Sequence, residues 1–336
     1  MALMARTAAL TNYLEISQQL GLNPQHQLSH FGLSQSMLEN PDQRIPMVVV
    51  IMLLEASAQA SGCETFGLRM AESRQLSNFG VISLLLTHQP TLRDALSTIL
   101  QYRHLLNESL ALHIEEAGGT VTLREEIITD SPVSTRQCIE LAIGVLHRLC
   151  GSLLGSNWRP LRVHFSHDAP ADLKIYRRIF DCKIIFNSEF NGIVCSAAHL
   201  NVVNPDADPE MARYAQGFME SLPGKVKTST LNEVRQAIYL LLPMGRATIG
   251  QIAQSMGMNV RTLQRKLEDN GVTFSDLSNT VRRELLQRYM ENPRYQLHQI
   301  ADLLGYSTPS SFTRWFTSQY GIAPASWRRK FLNCQD

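Results

Sequence analysis

The sequence predicts an α+β amino-terminal domain followed by an all-α carboxyl-terminal domain with two helix-turn-helix motifs joined by a long helix. Helical and strand patterns alternate before residue 205, only helical patterns follow residue 228, and a sequence repeat lies in this helical part. The 336 residues fit two domains on a prior of roughly 150 residues each. We expect one domain over residues 1–205, a connector helix and linker over 206–227, and a second domain over 228–332.

The elements of the amino-terminal domain are predicted from periodicity and turn signals. Thr91 and Asp94 have the spacing of a helix cap and open an amphipathic helix. Alternating apolar residues on both sides of Gly118 and Gly119 predict a β-hairpin. The other predicted elements are a helix over 134–154, a strand over 161–165, a helix over 171–180, and a pair of strands over 184–186 and 193–195.

The connector is predicted from residues that start helices. Asp208 can cap a helix whose first residue is Pro209, and we expect this helix to run to about residue 222. Thr230 and Glu233 have the spacing of a capping box, so they are predicted to open the first helix of the second domain.

Composition and motifs disfavour several classes of protein. The longest apolar run, over 47–54, has eight residues, whereas a membrane span needs about 20. The six cysteines contain no C-x-x-C pair, and no common hydrolase, phosphate-loop or zinc-protease motif occurs. His164 and His167 would face opposite sides of a strand, which disfavours a metal site with Asp168. We expect a cytoplasmic protein with no catalytic residue, no metal, no cofactor and no membrane partner.

Charge is distributed unevenly along the chain. The whole chain carries a net charge of +1. Residues 225–336 contain fifteen Lys or Arg and eight Asp or Glu, a net charge of +7, which leaves 16 basic and 22 acidic residues, −6, for the rest. This asymmetry indicates a basic module for an anionic partner joined to a mildly acidic module.

The helical part contains a repeat of about 48 residues. IGQIAQSMGM, from Ile249, and LHQIADLLGY, from Leu297, match at an offset of 48, which becomes 49 after the shared glycine. Each copy has the pattern of a helix, a tight turn with glycine and a second helix, since glycine adopts a positive φ at least cost. The sequence therefore predicts helix-turn-helix motifs over about 248–270 and 297–320.

The second helix of the first motif has a polar face suited to DNA. Its core-facing positions are predicted to be Val260, Leu263 and Leu267. The opposite face carries three residues at i, i+3 and i+4, namely Arg261, Gln264 and Arg265. Arginine can bridge two acceptors on guanine and glutamine can pair with adenine, so these three residues are predicted to read bases in the major groove.

The second motif has a different polar face. Its apolar anchors are predicted to be Phe312, Trp315 and Phe316. The residues left for DNA are Pro309, Ser310, Ser311, Thr313 and Arg314. Small hydroxyl residues are weaker base readers than arginine or glutamine, so we expect this motif to act more through phosphates and DNA shape.

A long helix is predicted between the motifs, over 274–291. It has an apolar side with Leu277 and Val281 and a basic run that includes Arg282 and Arg283. At 1.5 Å per residue it is about 25 Å long, which suits two helices in successive major grooves about 34 Å apart. The residues expected to contact the DNA backbone are Thr262, Arg282, Arg283, Thr308 and Thr313.

Residues 228–332 resemble the DNA-binding domain of the AraC/XylS family of bacterial transcription regulators. The matching stretches are IGQIAQSMGMNVRTLQRKLEDNGVTFSDL, VRRELLQRYM and HQIADLLGYSTPSSFTRWFTSQYGIAPASWR, with a closing pattern at Gly321, Pro324, Trp327 and Arg328. The resemblance implies base-reading sites at Arg261, Gln264 and Arg265, then at Pro309, Ser310, Ser311 and Arg314. The first two-thirds resembles the long sensor domain of one branch of the family through FGLRMAESRQLSNFGVISLLLTHQPTLRDAL and KIYRRIFDCKIIFNSEFNGIV, and not the small β-barrel that binds sugar.

The resemblance implies a sequence-specific DNA-binding regulator. We expect an activator whose amino-terminal domain senses a small-molecule effector and forms a homodimer, with double-stranded DNA and RNA polymerase as further partners. An alternative is an amino-terminal domain that only dimerises or binds protein, and a remote alternative is an enzyme coupled to the DNA-binding domain. Polar residues available for an effector include Arg69, Tyr102, Arg103, His104 and Arg177, but nothing in the sequence makes them converge, so the effector-binding residues stay unassigned.

Overall fold

The structure is a computed structural model and describes residues 2–131, 133–221, 229–292 and 294–332. The chain divides into two units, Met1–Val226 and Lys227–Asp336, and each has its own hydrophobic core. The last part of the predicted connector, over 222–227, lies outside the described residues.

Seven strands are described in the amino-terminal unit: β1 (Met4–Arg6), β2 (Arg44–Pro46), β3 (Leu110–Ala117), β4 (Thr120–Ile127), β5 (Arg162–His164), β6 (Lys183–Ile185) and β7 (Gly192–Ser196). β1 and β2 form a separate antiparallel pair. The others form an open sheet in the order β3-β4-β7-β5-β6, so β3 and β6 are edge strands. The predicted hairpin is confirmed, with Leu110 opposite Ile127 and Ala117 opposite Thr120.

The predicted pairing of the strands over 184–186 and 193–195 is wrong. β5 lies between β6 and β7, and it pairs in parallel with β6 and antiparallel with β7. The helix Lys174–Phe180 returns the chain from β5 to β6, which is the connection that parallel strands require. β7 forms ladder hydrogen bonds on both sides, to β4 and β5.

Ten α-helices are described in this unit: α1 (Tyr13–Gln19), α2 (Pro24–His30), α3 (Gln35–Leu38), α4 (Met47–Ser61), α5 (Phe66–Glu72), α6 (Ile82–Thr87), α7 (Leu92–Leu106), α8 (Arg136–Leu154), α9 (Lys174–Phe180) and α10 (Pro209–Ser221). Short 3₁₀ helices include Thr7–Leu10 and Leu76–Phe79. α5 and α8 pack so closely that a Cβ atom on Gly67 would lie 1.9 Å from the carbonyl oxygen of Gln137. Helices α8 and α9 begin two to three residues later than predicted.

One described helix, α8, is long and apolar enough to cross a membrane, and 67% of its most apolar window is buried inside the unit. The pair α4 and α5 passes the same test by composition but is bent by 105°. Leu146, Leu149 and Cys150 of α8 all belong to the buried core. Burial of this kind is what gives a core helix its apolar composition.

Two of the three predicted helix caps are confirmed. The Thr91 hydroxyl accepts a hydrogen bond from the Asp94 N–H, and the Asp208 carboxylate accepts from the N–H groups of Glu210 and Met211 at the start of α10. The predicted capping box at Thr230 is wrong, because Thr230 is already the first residue of its helix and Ser229 occupies the cap position. A threonine inside the first turn lacks the extended backbone that a capping side chain needs.

The carboxyl-terminal unit has only helices among its described regular elements, namely α11 (Thr230–Leu241), α12 (Ile249–Ser255), α13 (Val260–Glu268), α14 (Phe274–Glu291), α15 (Leu297–Leu303), α16 (Pro309–Tyr320), α17 (Pro324–Leu332) and a short 3₁₀ helix, Leu242–Met244. α14 has the predicted bounds. Its predicted apolar side is buried, at Leu277, Val281, Leu285 and Leu286, and the core of the unit is formed around it. The shorter helix pairs α12–α13 and α15–α16 precede and follow α14 along the chain.

Candidate nucleic-acid interface

The turns inside the two helix pairs have the same geometry. Gly257 and Gly305 have φ values of +64° and +73°. After the turn, the Met258 N–H donates to the carbonyl oxygen of Ala253 at 2.8 Å, and the Tyr306 N–H donates to that of Ala301 at 3.0 Å. The offset between these contacts is 48 residues, as in the sequence repeat. Both glycines adopt the left-handed backbone that disfavours other residues, which explains why each copy has glycine there.

α13 starts immediately after the first turn and is anchored at both ends. The Asn259 side chain accepts a hydrogen bond from the Thr262 N–H at 2.8 Å and so caps the helix. Leu263 and Leu267 are buried in the core of the unit, as predicted. Val260 was predicted to face the core and is instead 37% exposed, because it is the first residue of the helix and lies beyond the core contact.

The outer side of α13 carries three exposed polar residues, Arg261, Gln264 and Arg265. Within the described part of the chain, their side chains form no hydrogen bond and no ion pair. Arg261 and Arg265 are one helical turn apart, with Gln264 beside Arg265. The helix therefore presents ten N–H donors from the two guanidinium groups and two from the glutamine amide.

α16 follows the second turn and has a hydroxyl cap. The Thr308 hydroxyl accepts a hydrogen bond from the Ser311 N–H at 3.2 Å, and the Thr308 and Ser311 hydroxyl oxygens are 2.9 Å apart. Two predicted DNA-contacting hydroxyls are thus in contact with each other. Of the DNA-contacting residues predicted on this helix, Pro309, Ser310, Thr313 and Arg314 are exposed, and the last three have no side-chain partner among the described residues.

Aromatic packing holds α16 in place. Phe312 and Phe316 are buried, and the ring of Phe316 lies 4.6 Å from that of Tyr320 and 6.1 Å from that of Trp327 in α17. Trp315 is half-buried, and its indole N–H donates to the Asn279 side chain of α14 at 3.2 Å. Asn279 therefore links α14 to α16, a role for which the sequence contains no signal.

The two basic residues of α14 have different surroundings. Arg282 is half-buried, donates to the carbonyl oxygen of Leu304 at 3.2 Å, and lies 5.0 Å from the centre of the Tyr306 ring. Arg283 is exposed and donates to the side chains of Gln319 and Thr280. The Arg282 guanidinium is therefore bonded within the unit, whereas the Arg283 guanidinium lies at the surface.

Arg328 has a structural position that the sequence pattern alone did not explain. Its guanidinium donates to the carbonyl oxygens of Tyr295 and Asn292, just beyond the end of α14. These carbonyls follow a helix end, where backbone acceptors lack helical partners. The closing pattern at Trp327 and Arg328 thus anchors α17 against α14 and α16.

Other polar groups singled out in the sequence do not form a site together. His164 bonds Ser188 and stacks on Phe190, whereas the His167 ring lies 3.3 Å from the Glu140 carboxylate. No group of three or more His, Cys, Asp or Glu side chains suited to a metal occurs among the residues that the structure describes. Arg177 is exposed on α9, and Arg103 donates to the carbonyl oxygen of Leu100 on its own helix.

Comparison with known families matches both units. Residues 21–203, more than half of the chain, match the arabinose-binding domain of AraC transcription regulator, N-term. Residues 252–330 match a helix-turn-helix domain. The words "arabinose-binding" are part of the name of the matched family.

Curated relatives match over nearly the whole chain. The HTH-type transcriptional regulator VirS of Mycobacterium tuberculosis is 29% identical over 330 residues, which cover 97% of this chain and 96% of that protein. The ornithine utilization regulator of Pseudomonas aeruginosa is 22% identical, with 94% of this chain and 93% of that protein covered. The crystal structure of the transcriptional regulator CdpR from Pseudomonas aeruginosa has a TM-score of 0.48 and 18% identity, with 96% of each chain covered. The chain belongs to the AraC/XylS family of transcription regulators.

Proposed function

We propose that this protein regulates transcription by binding double-stranded DNA sequence-specifically through two helix-turn-helix motifs, α12–α13 and α15–α16, joined by α14. The observation that carries the proposal is the outer side of α13. Arg261, Gln264 and Arg265 are exposed there with no partner among the described residues. The guanidinium donors match the two acceptors of guanine, and the glutamine amide, with a donor and an acceptor, matches adenine. No catalytic residue is proposed.

The second motif supports DNA binding in a different way. Arg314 and Ser310 are the base-reading candidates on α16, with Ser311 beside them. Thr308 and Thr313 suit phosphate contacts at the start of the helix, where backbone N–H groups and the helix dipole favour an anion. Thr262 is the backbone candidate on α13, at the position that Ser311 has on α16. Arg283 is the stronger backbone candidate of the basic pair on α14, because Arg282 already donates within the unit.

Selection of DNA fragments tests the proposal. Full-length protein is mixed with sheared genomic DNA, and the retained fragments are sequenced after a wash at raised salt. We expect enriched fragments that share two short elements about one helical turn, roughly 10 base pairs, apart. Retention of all fragments in proportion to their length would show that binding is only electrostatic, and would overturn the proposal.

We infer further that the protein is an effector-responsive activator in the cytoplasm, and that its amino-terminal unit senses a small molecule and forms a homodimer. RNA polymerase is then the partner through which bound protein raises transcription. The family match of residues 21–203 and the separate core of this unit support a sensing module distinct from the DNA-binding unit.

An exposed apolar face on α10 supports the homodimer. Met211, Tyr214 and Phe218 lie at i, i+3 and i+7 and are each about half exposed or more, at 48%, 64% and 50%. The adjoining side of α10 buries Ala215 and Met219 against its own unit. An identical helix from a second copy, related by a two-fold axis, can cover this face in both copies at once.

The double substitution Tyr214→Glu and Phe218→Glu is expected to convert the dimer to a monomer. Two carboxylates on each copy would be buried without partners at the interface. Analytical ultracentrifugation of the full chain measures the change, with Gln216→Glu, an exposed position of the same helix, as the control that stays dimeric. A wild-type chain that sediments as a monomer, or a double variant that still sediments as a dimer, contradicts this interface.

A further inference from the structure

We propose that a cavity in the amino-terminal unit binds a small organic anion, a carboxylate with an apolar body, and that Arg74 is the residue that receives the carboxylate. The inference rests on the effector-sensing part of the proposed function and names both the place and the chemical class of the effector.

The cavity lies between the 3₁₀ helix Thr7–Leu10, the end of α5 and the side of α8. It has a volume of about 130 Å³, and apolar side chains such as Val50, Leu141 and Val145 form most of its wall. A second cavity of about 220 Å³ shares Arg74 and Phe79 with it. An apolar cavity of about 150 Å³ is sufficient to bind benzene, so a cavity of comparable volume suits a small molecule with an apolar body.

Arg74 carries a buried positive charge without a carboxylate partner. The residue is 5% exposed, and its guanidinium donates to the backbone carbonyl oxygens of Ala8 and Ala9. Its Nε–H has no acceptor among the described residues, and no described carboxylate forms an ion pair with it. A guanidinium has five N–H donors, so only part of its capacity is used. Glu72, its neighbour in sequence, is ion-paired with Arg178 instead.

Arg6 on the wall of the same cavity provides an internal comparison. It is buried to a similar degree, at 7% exposed, but its guanidinium is 2.7 Å from the Asp42 carboxylate. One buried arginine of this cavity is therefore balanced by an anion of the chain, and the other is not. Burial lowers the pKa of Arg74 to about 10, so the side chain is still charged at neutral pH. Buried charges in proteins are normally paired, which leaves Arg74 in need of an anion.

The chemistry of the cavity selects the class of ligand. A guanidinium binds a carboxylate through parallel, charge-assisted hydrogen bonds, and apolar walls favour a hydrocarbon body. A neutral molecule would leave the Arg74 charge unbalanced, and an amine would add a second positive charge beside it. A carboxylate with an apolar chain or ring satisfies both parts of the cavity.

Thermal unfolding of the full chain without DNA tests the inference with three probes of one chain length, namely octanoate, 1-octanol and octylamine. Ligand bound to the native state raises Tm, by about 5–10 °C at a hundredfold excess over Kd for a domain of this size. We expect octanoate to raise Tm by a given amount at a concentration about tenfold lower than 1-octanol or octylamine needs, since only the anion can form the charge-assisted contact with Arg74. Equal responses to all three probes, or no response to octanoate, overturn the inference.

Two variants locate the binding site. Arg74→Met is expected to abolish the preference for octanoate, whereas Arg177→Met, at an exposed arginine of α9, is expected to keep it. If Arg74→Met does not fold, Ala142→Leu fills the cavity from α8 with Arg74 intact and is expected to abolish the octanoate response. A preference for octanoate that persists in Arg74→Met, or a response to octanoate that persists in Ala142→Leu, shows that octanoate binds elsewhere and overturns the inference. Genomic-fragment retention by the same preparation reports on DNA binding independently, so a failure of this inference is distinguishable from a failure of the proposed function.

Discussion

Replacing Phe316 with alanine is expected to lower the free energy of unfolding of the carboxyl-terminal unit by about 3–5 kcal/mol. Phe316 is fully buried, and its ring contacts those of Phe312, Tyr320 and Trp327. The substitution removes a large apolar side chain and leaves a cavity between α16 and α17. Because domains are stable by only about 5–15 kcal/mol, the substitution removes a large share of the free energy of unfolding of this unit.

Amide hydrogen exchange measures this effect separately in each unit. We expect faster exchange in α14, α16 and α17 of the variant and unchanged protection in α8, which belongs to a different core. Thr317→Ala, at the exposed neighbouring position, is the matched control and is expected to change exchange little. A loss below about 1 kcal/mol for Phe316→Ala would contradict the packing of α16 described above.

Replacing Arg261 with alanine is expected to weaken binding to a selected DNA site by about 1–3 kcal/mol and to relax the preference at one base pair. The Arg261 side chain is exposed on α13 and has no partner among the described residues, so its removal costs the fold little. Fluorescence anisotropy with the selected site and with single-base variants of it measures both changes at one salt concentration.

Arg261→Lys is the control that separates charge from base reading. Lysine keeps the positive charge but lacks the planar fork that bridges two acceptors on guanine. We therefore expect Arg261→Lys to keep the affinity for random DNA and its salt dependence while losing discrimination at the same base pair as Arg261→Ala. If both variants lost affinity for selected and random DNA in equal proportion, Arg261 would be a phosphate contact and not a base reader.

The features that the sequence predicted correctly arise from interactions between near neighbours. The Thr91 cap, the hairpin turn at 118–119 and the bounds of α14 each depend on residues within a few positions of one another. The duplicated turn glycines were recognisable because a positive φ restricts the residue type wherever it occurs. Such local constraints can be recognised in a single sequence.

The features that the sequence did not predict depend on distant partners. The position of β5 between β6 and β7 is set by pairing across the sheet, and short strands carry no mark of which neighbour they will have. Val260 has apolar spacing but lies where the core ends, at the first turn of its helix. Arg74 is a charged residue near the end of a short helix, and its burial is due to Ala8 and Ala9, more than 60 positions earlier. The periodicity of apolar residues gives no information on a contact between residues so far apart in the sequence.

The unbroken course of α14 has a consequence for how the proposed operators of this protein can diverge. Its 18 residues make a stiff strut of about 27 Å between the helix pairs. Inserting one base pair between two recognised elements displaces the second by about 3.4 Å and rotates it by about 35° around the duplex. A continuous helix without a break cannot follow this combined shift and rotation. Point changes in the intervening bases should therefore accumulate freely among natural operators, while insertions and deletions there should be eliminated.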